Sequence, residues 1–173
     1  ISELSYCKNS MFPLKSLDRD DRIIYIKSFS KIFMPGLRLA FLNMPECLAK
    51  KLLEIKYIAD ISTSGFTQRI FDLYLREGLW DKHIGNIRQT YNIQFDFAYN
   101  TAKQCLPTDV TWSNPHGGLS FWLQLPEYIT ADALCRSAES NNLLVTDGTG
   151  FYPRHTDKHH IRVSFATLSL QQI

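Results

Sequence analysis

The feature that most constrains the fold is a run of apolar residues spaced three and four apart, from residue 81 to about residue 105. This spacing places the side chains on one stripe of an α-helix, and Pro107 prevents the helix from continuing. The sequence therefore predicts a long helix that lies on a core. Its stripe consists of Ile84, Ile87, Tyr91, Phe95, Ala98, Ala102 and Cys105.

Shorter elements are predicted on both sides of this helix. Before it, β-branched and aromatic runs predict strands over residues 22–27 and 37–42, and two helices follow that begin at Pro45 and Phe66. A mixture of this kind indicates the α/β class, with a two-layer unit after the long helix. That unit is predicted to contain a helix over Ala131–Ser140 and strands over residues 110–112, 119–125, 143–145 and 160–166.

Composition excludes several classes of protein. Of the 173 residues, 45% are hydrophobic and 13% are aromatic, which excludes intrinsic disorder. Charged residues interrupt every stretch of about 18 residues, so no membrane span is predicted. A net charge of +2 gives no indication of a nucleic-acid partner. The four cysteines form no C-x-x-C pair, and reduced thiols in a cytoplasmic protein are favoured over two disulfides.

Lys31 is the first candidate catalytic residue. It follows a predicted strand, with Ser28 three residues before it and Arg38 seven residues after it. A lysine in a partly desolvated pocket has a lowered pKa and a nucleophilic amine, while a hydroxyl and a guanidinium bind phosphate well. Pyridoxal phosphate needs a lysine flanked by such phosphate ligands. An ordinary surface loop with one lysine and one arginine also accounts for these residues.

Arg162 is the second candidate, because it lies within an otherwise apolar strand and needs a partner there. Its guanidinium offers two parallel donors, either to a substrate carboxylate or to an acidic side chain on the next strand. A metal site is not predicted. His155, His159 and His160 have a spacing that suits metal ligands on a helix, but they lie in a loop without a cluster of Cys or carboxylates.

Residues 28–38 read Ser-Phe-Ser-Lys-Ile-Phe-Met-Pro-Gly-Leu-Arg. This segment resembles the cofactor-lysine motif of fold-type I pyridoxal-phosphate aminotransferases of class I/II. Within that family it is similar to kynurenine/aminoadipate-type enzymes and to the aminotransferase-like domain of MocR-type regulators of the GntR family. The resemblance implies that Lys31 forms the Schiff base with pyridoxal 5'-phosphate and that Ser28 and Arg38 hold its phosphate. Ala40 stands where the family usually has Gly.

The resemblance continues along most of the chain. It includes residues 2–6 with 13–18, 83–91, 115–126 and 160–166, although the Arg-Arg-Asp that usually follows the pattern at residues 83–91 is missing. Leu119 and Trp122 are closer to the MocR pattern. The match around Arg162 implies that this residue binds the substrate carboxylate. Whether Tyr6 lies near the cofactor stays open.

This resemblance implies the C-terminal part of a fold-type I transferase. Residues 1–80 are expected to be a remnant of the large cofactor-binding domain and its sheet, residues 81–106 the connecting helix, and residues 107–173 the two-layer small domain. The phosphate-binding glycine turn, the ring-stacking aromatic, the substrate-binding Asn and the Asp that pairs with the pyridine nitrogen are expected upstream of Ile1. The chain alone is therefore expected to bind the cofactor weakly and to lack appreciable transaminase activity.

Two functions of the whole protein remain in competition. The first is a cytoplasmic homodimeric aminotransferase that moves an amino group between an amino acid and a 2-oxo acid. The alternative is the effector-sensing and dimerisation domain of a MocR/GntR-type regulator, which binds DNA only through an upstream domain absent from this sequence. A third interpretation is an inert remnant that keeps the fold and binds nothing.

Overall fold

A computed structural model of the chain describes residues 2–5, 12–154 and 157–173. The chain divides into two compact units, Ile1–Arg88 and Gln89–Ile173, which we call the N-terminal unit and the C-terminal unit. Helices and strands occur in both, which confirms the α/β class. The division falls within the longest helix, α3, Leu79–Cys105, which confirms the long helix predicted from the apolar stripe.

In its described residues, the N-terminal unit contains one antiparallel pair of strands and three helices. Strand β1 is Tyr25–Ser28, β2 is Ala40–Asn43, α1 is Glu46–Asp60 and α2 is Gly65–Arg76, followed by the first part of α3. Single turns of 3-10 helix occur at Ser2–Leu4, Leu14–Leu17 and Pro35–Leu37. In the ladder, Tyr25 lies opposite Asn43 and Ser28 lies opposite Ala40.

The first strand begins three residues later than predicted, at Tyr25. The cause is the Asp18 carboxylate, which accepts hydrogen bonds of 3.0 Å from the backbone N–H of Arg22 and from that of Ile23. Lys15 donates to the same carboxylate over 2.8 Å. Because these backbone donors face Asp18, residues 22 and 23 do not join the strand ladder, which begins at Tyr25.

The second strand also begins three residues late, at Ala40. The preceding Pro35–Leu37 forms a turn of 3-10 helix, and Arg38 after it has φ 52° and ψ 37°. This left-handed conformation is incompatible with a strand. The apolar residues at 37–42 predicted a strand correctly, but a local backbone reversal sets where it starts.

The C-terminal unit is built on a four-stranded antiparallel sheet in the order β3-β4-β6-β5. Its strands are β3 Thr111–Trp112, β4 Ser120–Gln124, β5 Thr146–Asp147 and β6 His160–Ser164, and its second helix is α4 Ala131–Ser140. Helix α3 packs on this sheet through Phe95, whose ring lies 5.9 Å from that of Phe121 and 6.0 Å from that of Phe165. The core side chains include Ala98, Phe121, Leu123, Leu125, Ala131, Ile161, Phe165 and Ala166.

The strand predicted over residues 143–145 is wrong. Leu143 and Leu144 are 55% and 83% exposed, and the strand occurs at Thr146–Asp147 instead. The end of α4 is the reason. Asn142 takes a left-handed φ of 61°, and the Leu143 N–H donates to the Ala138 carbonyl over 2.9 Å, so these residues close the helix.

Candidate active site

Lys31 and Arg38 lie in the connection between β1 and β2, and Ser28 directly precedes this connection. Ser28 is the last residue of β1 and lies opposite Ala40 in the ladder. Arg38 comes two residues before Ala40, so it lies at the same end of the ladder as Ser28. The structure therefore brings the three residues predicted to hold the cofactor into one local segment.

A tight backbone turn presents Lys31. The carbonyl of Phe29 accepts hydrogen bonds from the backbone N–H of Ile32 over 3.2 Å and from that of Phe33 over 2.9 Å. Ile32 is only 3% exposed, whereas the Lys31 side chain is exposed. The amine is therefore accessible, and the described residues do not form the partly desolvated pocket that the sequence suggested.

The neighbours of Lys31 offer donors suited to an anion. The Ser28 hydroxyl oxygen accepts from the backbone N–H of Ser30 over 3.3 Å, which fixes the hydroxyl beside the turn. Arg38 is exposed, and its left-handed backbone is a conformation that non-glycine residues adopt at a cost of about 1–3 kcal/mol, mostly at functional sites. Within the described residues, neither the Lys31 amine nor the Arg38 guanidinium forms an ion pair.

A cluster of aromatic rings, which we call the aromatic base, supports this turn from within the N-terminal unit. The Phe29 ring lies 4.5 Å from that of Phe71, and the Phe33 ring lies 4.8 Å from that of Tyr74. The sequence analysis did not predict this cluster. The available signal was the pair of phenylalanines four residues apart on either side of Lys31, with a second aromatic pair on α2. The aromatic base consists of Phe29, Phe33, Phe71, Tyr74, Trp80 and His83.

Arg162 lies on β6 in the C-terminal unit, between Trp122 on β4 and Thr146 on β5. Its Nη2 atom donates to the Thr146 hydroxyl over 3.3 Å, and its Cζ atom lies 5.1 Å from the centre of the Phe151 ring. Its Nε atom is buried and has no hydrogen-bond partner in the described part of the chain. An inter-strand ion pair, the alternative explanation for this arginine, does not occur among the described residues.

The rings next to Arg162 restrict one another. Phe151 meets the Trp122 ring edge-on at 5.4 Å, and Trp122 stacks on His160 at 5.5 Å with 15° between the planes. His160 Nδ1 is 2.7 Å from the Asp157 carboxylate. A partly exposed guanidinium whose buried Nε donor is unused is suited to a carboxylate ligand.

The histidines that the sequence analysis considered and rejected as metal ligands have partners within the C-terminal unit where the structure describes them. His159 Nδ1 lies 2.8 Å from the Ile129 carbonyl oxygen, and His160 is engaged by Asp157. Over residues 2–5, 12–154 and 157–173, no three His, Cys, Asp or Glu side chains form a group that could hold a metal ion. Tyr6 and His155 lie outside the described residues.

Known proteins resemble the chain in sequence and in structure. It is 30% identical over 171 residues to an aromatic-amino-acid aminotransferase of Thermococcus litoralis, covering 99% of the chain and 41% of that enzyme. It is 28% identical over 162 residues to an uncharacterised helix-turn-helix transcriptional regulator of Bacillus subtilis, covering 94% of the chain and 33% of the regulator. No family model matches.

Among solved structures, an alpha-aminoadipate aminotransferase of Thermus thermophilus complexed with N-(5'-phosphopyridoxyl)-L-leucine superimposes with a TM-score of 0.93 at 28% identity. The match covers 99% of the chain and 44% of that enzyme. The chain is homologous to fold-type I pyridoxal-phosphate aminotransferases. It has the fold of their C-terminal part, and MocR-type regulators are also among its homologues. It spans about two fifths of the length of these aminotransferases.

None of the helices in the described residues combines the length and apolarity that crossing a membrane requires. Cys47, Cys105 and Cys135 are free thiols.

Proposed function

We propose that the whole protein is a pyridoxal-phosphate-dependent aminotransferase that exchanges an amino group between an amino acid and a 2-oxo acid. One observation carries the proposal: Ser28, Lys31 and Arg38 lie close together in one local segment, and Lys31 lies on an exposed turn of that segment. A primary amine, a hydroxyl and a guanidinium fit the aldehyde and the phosphate of this cofactor. Homologous aminotransferases, one of them solved with a phosphopyridoxyl group, support the same conclusion.

Each residue has a defined task in this proposal. Ser28 and Arg38 would hold the phosphate of the cofactor, and the Lys31 amine would hold its aldehyde carbon. When bound, the cofactor would supply a ring that withdraws electrons from the substrate α-carbon. Lys31 Nζ would act on the proton of that carbon, first as a general base and then as an acid. Arg162 binds the substrate carboxylate through its Nε and Nη atoms.

The proposal also assigns the parts of the chain. Residues 1–80 belong to the cofactor-binding large domain, residues 81–106 to the connecting helix and residues 107–173 to the small domain. The whole protein acts in the cytoplasm as a homodimer, with amino acids and 2-oxo acids as substrates.

A second candidate function has support from a specific observation. A homologue of the chain is a helix-turn-helix transcriptional regulator. In that case the same residues bind cofactor and effector as a signal, and DNA is contacted only by an upstream domain. Amino transfer by the whole protein, lost in a Lys31→Ala variant, supports the enzyme. Cofactor-dependent DNA binding without amino transfer supports the regulator.

The role of Lys31 can be tested on the 173-residue chain. Treatment with pyridoxal phosphate and borohydride, followed by mass spectrometry of peptides, is expected to label Lys31 ahead of the exposed Lys51 on α1. Ser28→Ala and Arg38→Ala are expected to reduce this preference, because the phosphate then loses a donor. Equal labelling of Lys31 and Lys51 in the unchanged chain would falsify the proposed cofactor role.

Arg162 is tested by Arg162→Lys, which keeps the charge and removes the forked pair of donors. In the whole protein we expect the KM for amino acids to rise by about tenfold, since a bidentate contact is lost. Trp122 lies opposite Arg162 in the ladder, so its fluorescence provides a second measurement of carboxylate binding. An unchanged KM would contradict the assignment.

A further inference from the structure

His83 on α3 contacts the turn that carries Lys31. Its Nε2 atom is 2.8 Å from the carbonyl oxygen of Ile32, the residue directly after Lys31. A carbonyl oxygen only accepts hydrogen bonds, so Nε2 is the donor and carries a proton. The bond joins residues 51 positions apart in the sequence and thereby connects the turn to α3.

Aromatic rings hold the imidazole in this orientation. The His83 ring meets Phe33 edge-on at 5.3 Å and 90°, and it lies 6.3 Å from Tyr74 and 6.1 Å from Trp80. Rings packed against several sides of an imidazole limit its rotation. The direction of the Nε2 donor is therefore set by packing as well as by the hydrogen bond.

We propose that His83 is a positioning residue for Lys31. By holding the Ile32 carbonyl, it fixes the peptide plane that follows Lys31, and with it the direction in which the lysine side chain leaves the turn. Without this bond, the turn keeps its local hydrogen bonds, from the Ile32 and Phe33 amides to the Phe29 carbonyl and from the Ser30 amide to the Ser28 hydroxyl. The inference rests on the proposed cofactor role of Lys31. It adds to the proposed site a residue of α3, outside the segment of residues 28–38.

Three variants separate this role from general support of the fold. His83→Phe keeps an aromatic ring and removes the donor. His83→Gln removes the ring and returns an amide N–H close to the position of Nε2. The matched control is His159→Phe, because His159 Nδ1 also lies 2.8 Å from a backbone carbonyl, that of Ile129 in the C-terminal unit.

The first measurement is amide hydrogen exchange at Ile32 and Phe33. We expect exchange about fivefold faster in His83→Phe, the factor that one hydrogen bond of ordinary strength represents. His83→Gln is expected to exchange like the unchanged chain, and so is the His159→Phe control. Unchanged exchange in His83→Phe would overturn the inference.

The second measurement is the labelling of Lys31 relative to Lys51. The lysine amine condenses with the aldehyde of pyridoxal phosphate and releases water; borohydride then delivers hydride to the C=N carbon, and solvent supplies a proton to the nitrogen. We expect the ratio of label at the two lysines to fall about fivefold in His83→Phe and to recover in His83→Gln. Faster exchange with an unchanged ratio would show that His83 only supports the fold, and would overturn the inference.

The failure of the cofactor role is a different result. If the unchanged chain labels both lysines equally, the proposed function loses its support, and the exchange rates alone decide whether His83 holds the turn. If His83→Phe does not fold, His83→Gln is compared with His83→Asn, whose shorter amide does not reach the position of Nε2. Slow exchange in the Gln variant alone supports the inference, and equal exchange in both contradicts it.

Discussion

The two units of the chain differ in how much apolar surface their elements bury. In the C-terminal unit, Phe121, Leu123 and Ile161 on paired strands are 3%, 4% and 4% exposed. In the N-terminal unit, α1 contains no buried residue, and Ile58 on that helix is 84% exposed. The sheet and α3 exclude water from Phe121, Leu123 and Ile161. The turn that carries Lys31 is supported by the aromatic base instead. The proposed catalytic lysine therefore lies in the less buried unit, and the proposed carboxylate ligand Arg162 in the better buried one.

Among the variants that test this difference between the two units, the largest loss of stability is expected from Phe121→Ala. The side chain is 3% exposed and its ring lies 4.9 Å from that of Phe165 and 5.3 Å from that of Trp112. Removing a buried phenylalanine costs about 3–5 kcal/mol through lost burial and the cavity that remains. Denaturant unfolding followed by tryptophan fluorescence measures the change.

The matched control for Phe121→Ala is Phe66→Ala on α2, where the side chain is 75% exposed. There we expect a change within about 0.5 kcal/mol, as for surface substitutions in general. If the two variants were equally stable, the contrast between a buried C-terminal core and an exposed N-terminal helix face would be wrong.

A smaller loss of stability is expected from Gly148→Ala. Gly148 lies between β5 and the next turn. A Cβ atom at this position would collide with the carbonyl oxygen of His160 and lie 2.8 Å from its carbonyl carbon, both backbone atoms that have little room to move. We expect a cost of about 1–3 kcal/mol in the free energy of unfolding, typical of an overpacked site. Gly150→Ala is the control, since nothing lies within 4 Å of a Cβ there. Equal stability of the two variants would contradict the close approach of β5 to β6.

Local signals account for the part of the fold that the sequence predicted well. Helix α4 has both predicted ends, because Thr130 caps its first turn and the chain reverses at Asn142. The grouping of Ser28, Lys31 and Arg38 was also predictable, since all three lie within eleven consecutive residues, 28–38. Their roles stay predictions. Strand starts were missed where a side chain or a left-handed residue, such as Asp18 or Arg38, redirects the backbone.

Contacts between distant residues account for most of what was missed. The aromatic base and the bond from His83 to Ile32 join segments that are far apart in the sequence, and periodicity carries no information about such pairs. The contact between Phe151 and Arg162 was missed for the same reason. Phe151 lies in a 3-10 turn after β5, and Arg162 lies on β6. The sequence identified the arginine but not the ring that faces it.

A still smaller, pH-dependent effect is expected from Asp18→Asn in the N-terminal unit. Hydrogen bonds from Lys15 and then from the backbone N–H of Arg22 and Ile23 hold the pKa of Asp18 below its usual range in the folded chain. The carboxylate therefore stabilises the fold in full above about pH 4, and this stabilisation is lost as the pH falls from there through the folded-state pKa. Amide hydrogen exchange in β1 and β2, followed between pH 7 and pH 3, measures this loss of stabilisation.

Asp18→Asn is expected to lower the protection of β1 at pH 7 and to flatten its decrease in acid. The control is Asp20→Asn, because Asp20 is 71% exposed and its only ion pair in the described residues is a 3.8 Å contact with Arg22. It should leave the pH dependence as it is. An unchanged acid response in Asp18→Asn would show that the capped turn does not contribute to the stability of this unit.

The smallest effect on stability is expected from Ile58→Lys in the last turn of α1. The isoleucine is 84% exposed, so little burial is lost, and the new lysine lies four residues after Glu54 in the favourable order for an ion pair on a helix. We expect the free energy of unfolding to stay within about 0.5 kcal/mol and self-association in sedimentation experiments to decrease, because an exposed apolar face gains a charge. Ile84→Lys on α3 is the matched control, since that isoleucine is 7% exposed and a charge there has no water around it. Equal stability losses in both variants would mean that α1 is as well packed as the first part of α3 in the same unit, and the exposed face of α1 would then not mark the N-terminal unit as the less buried one.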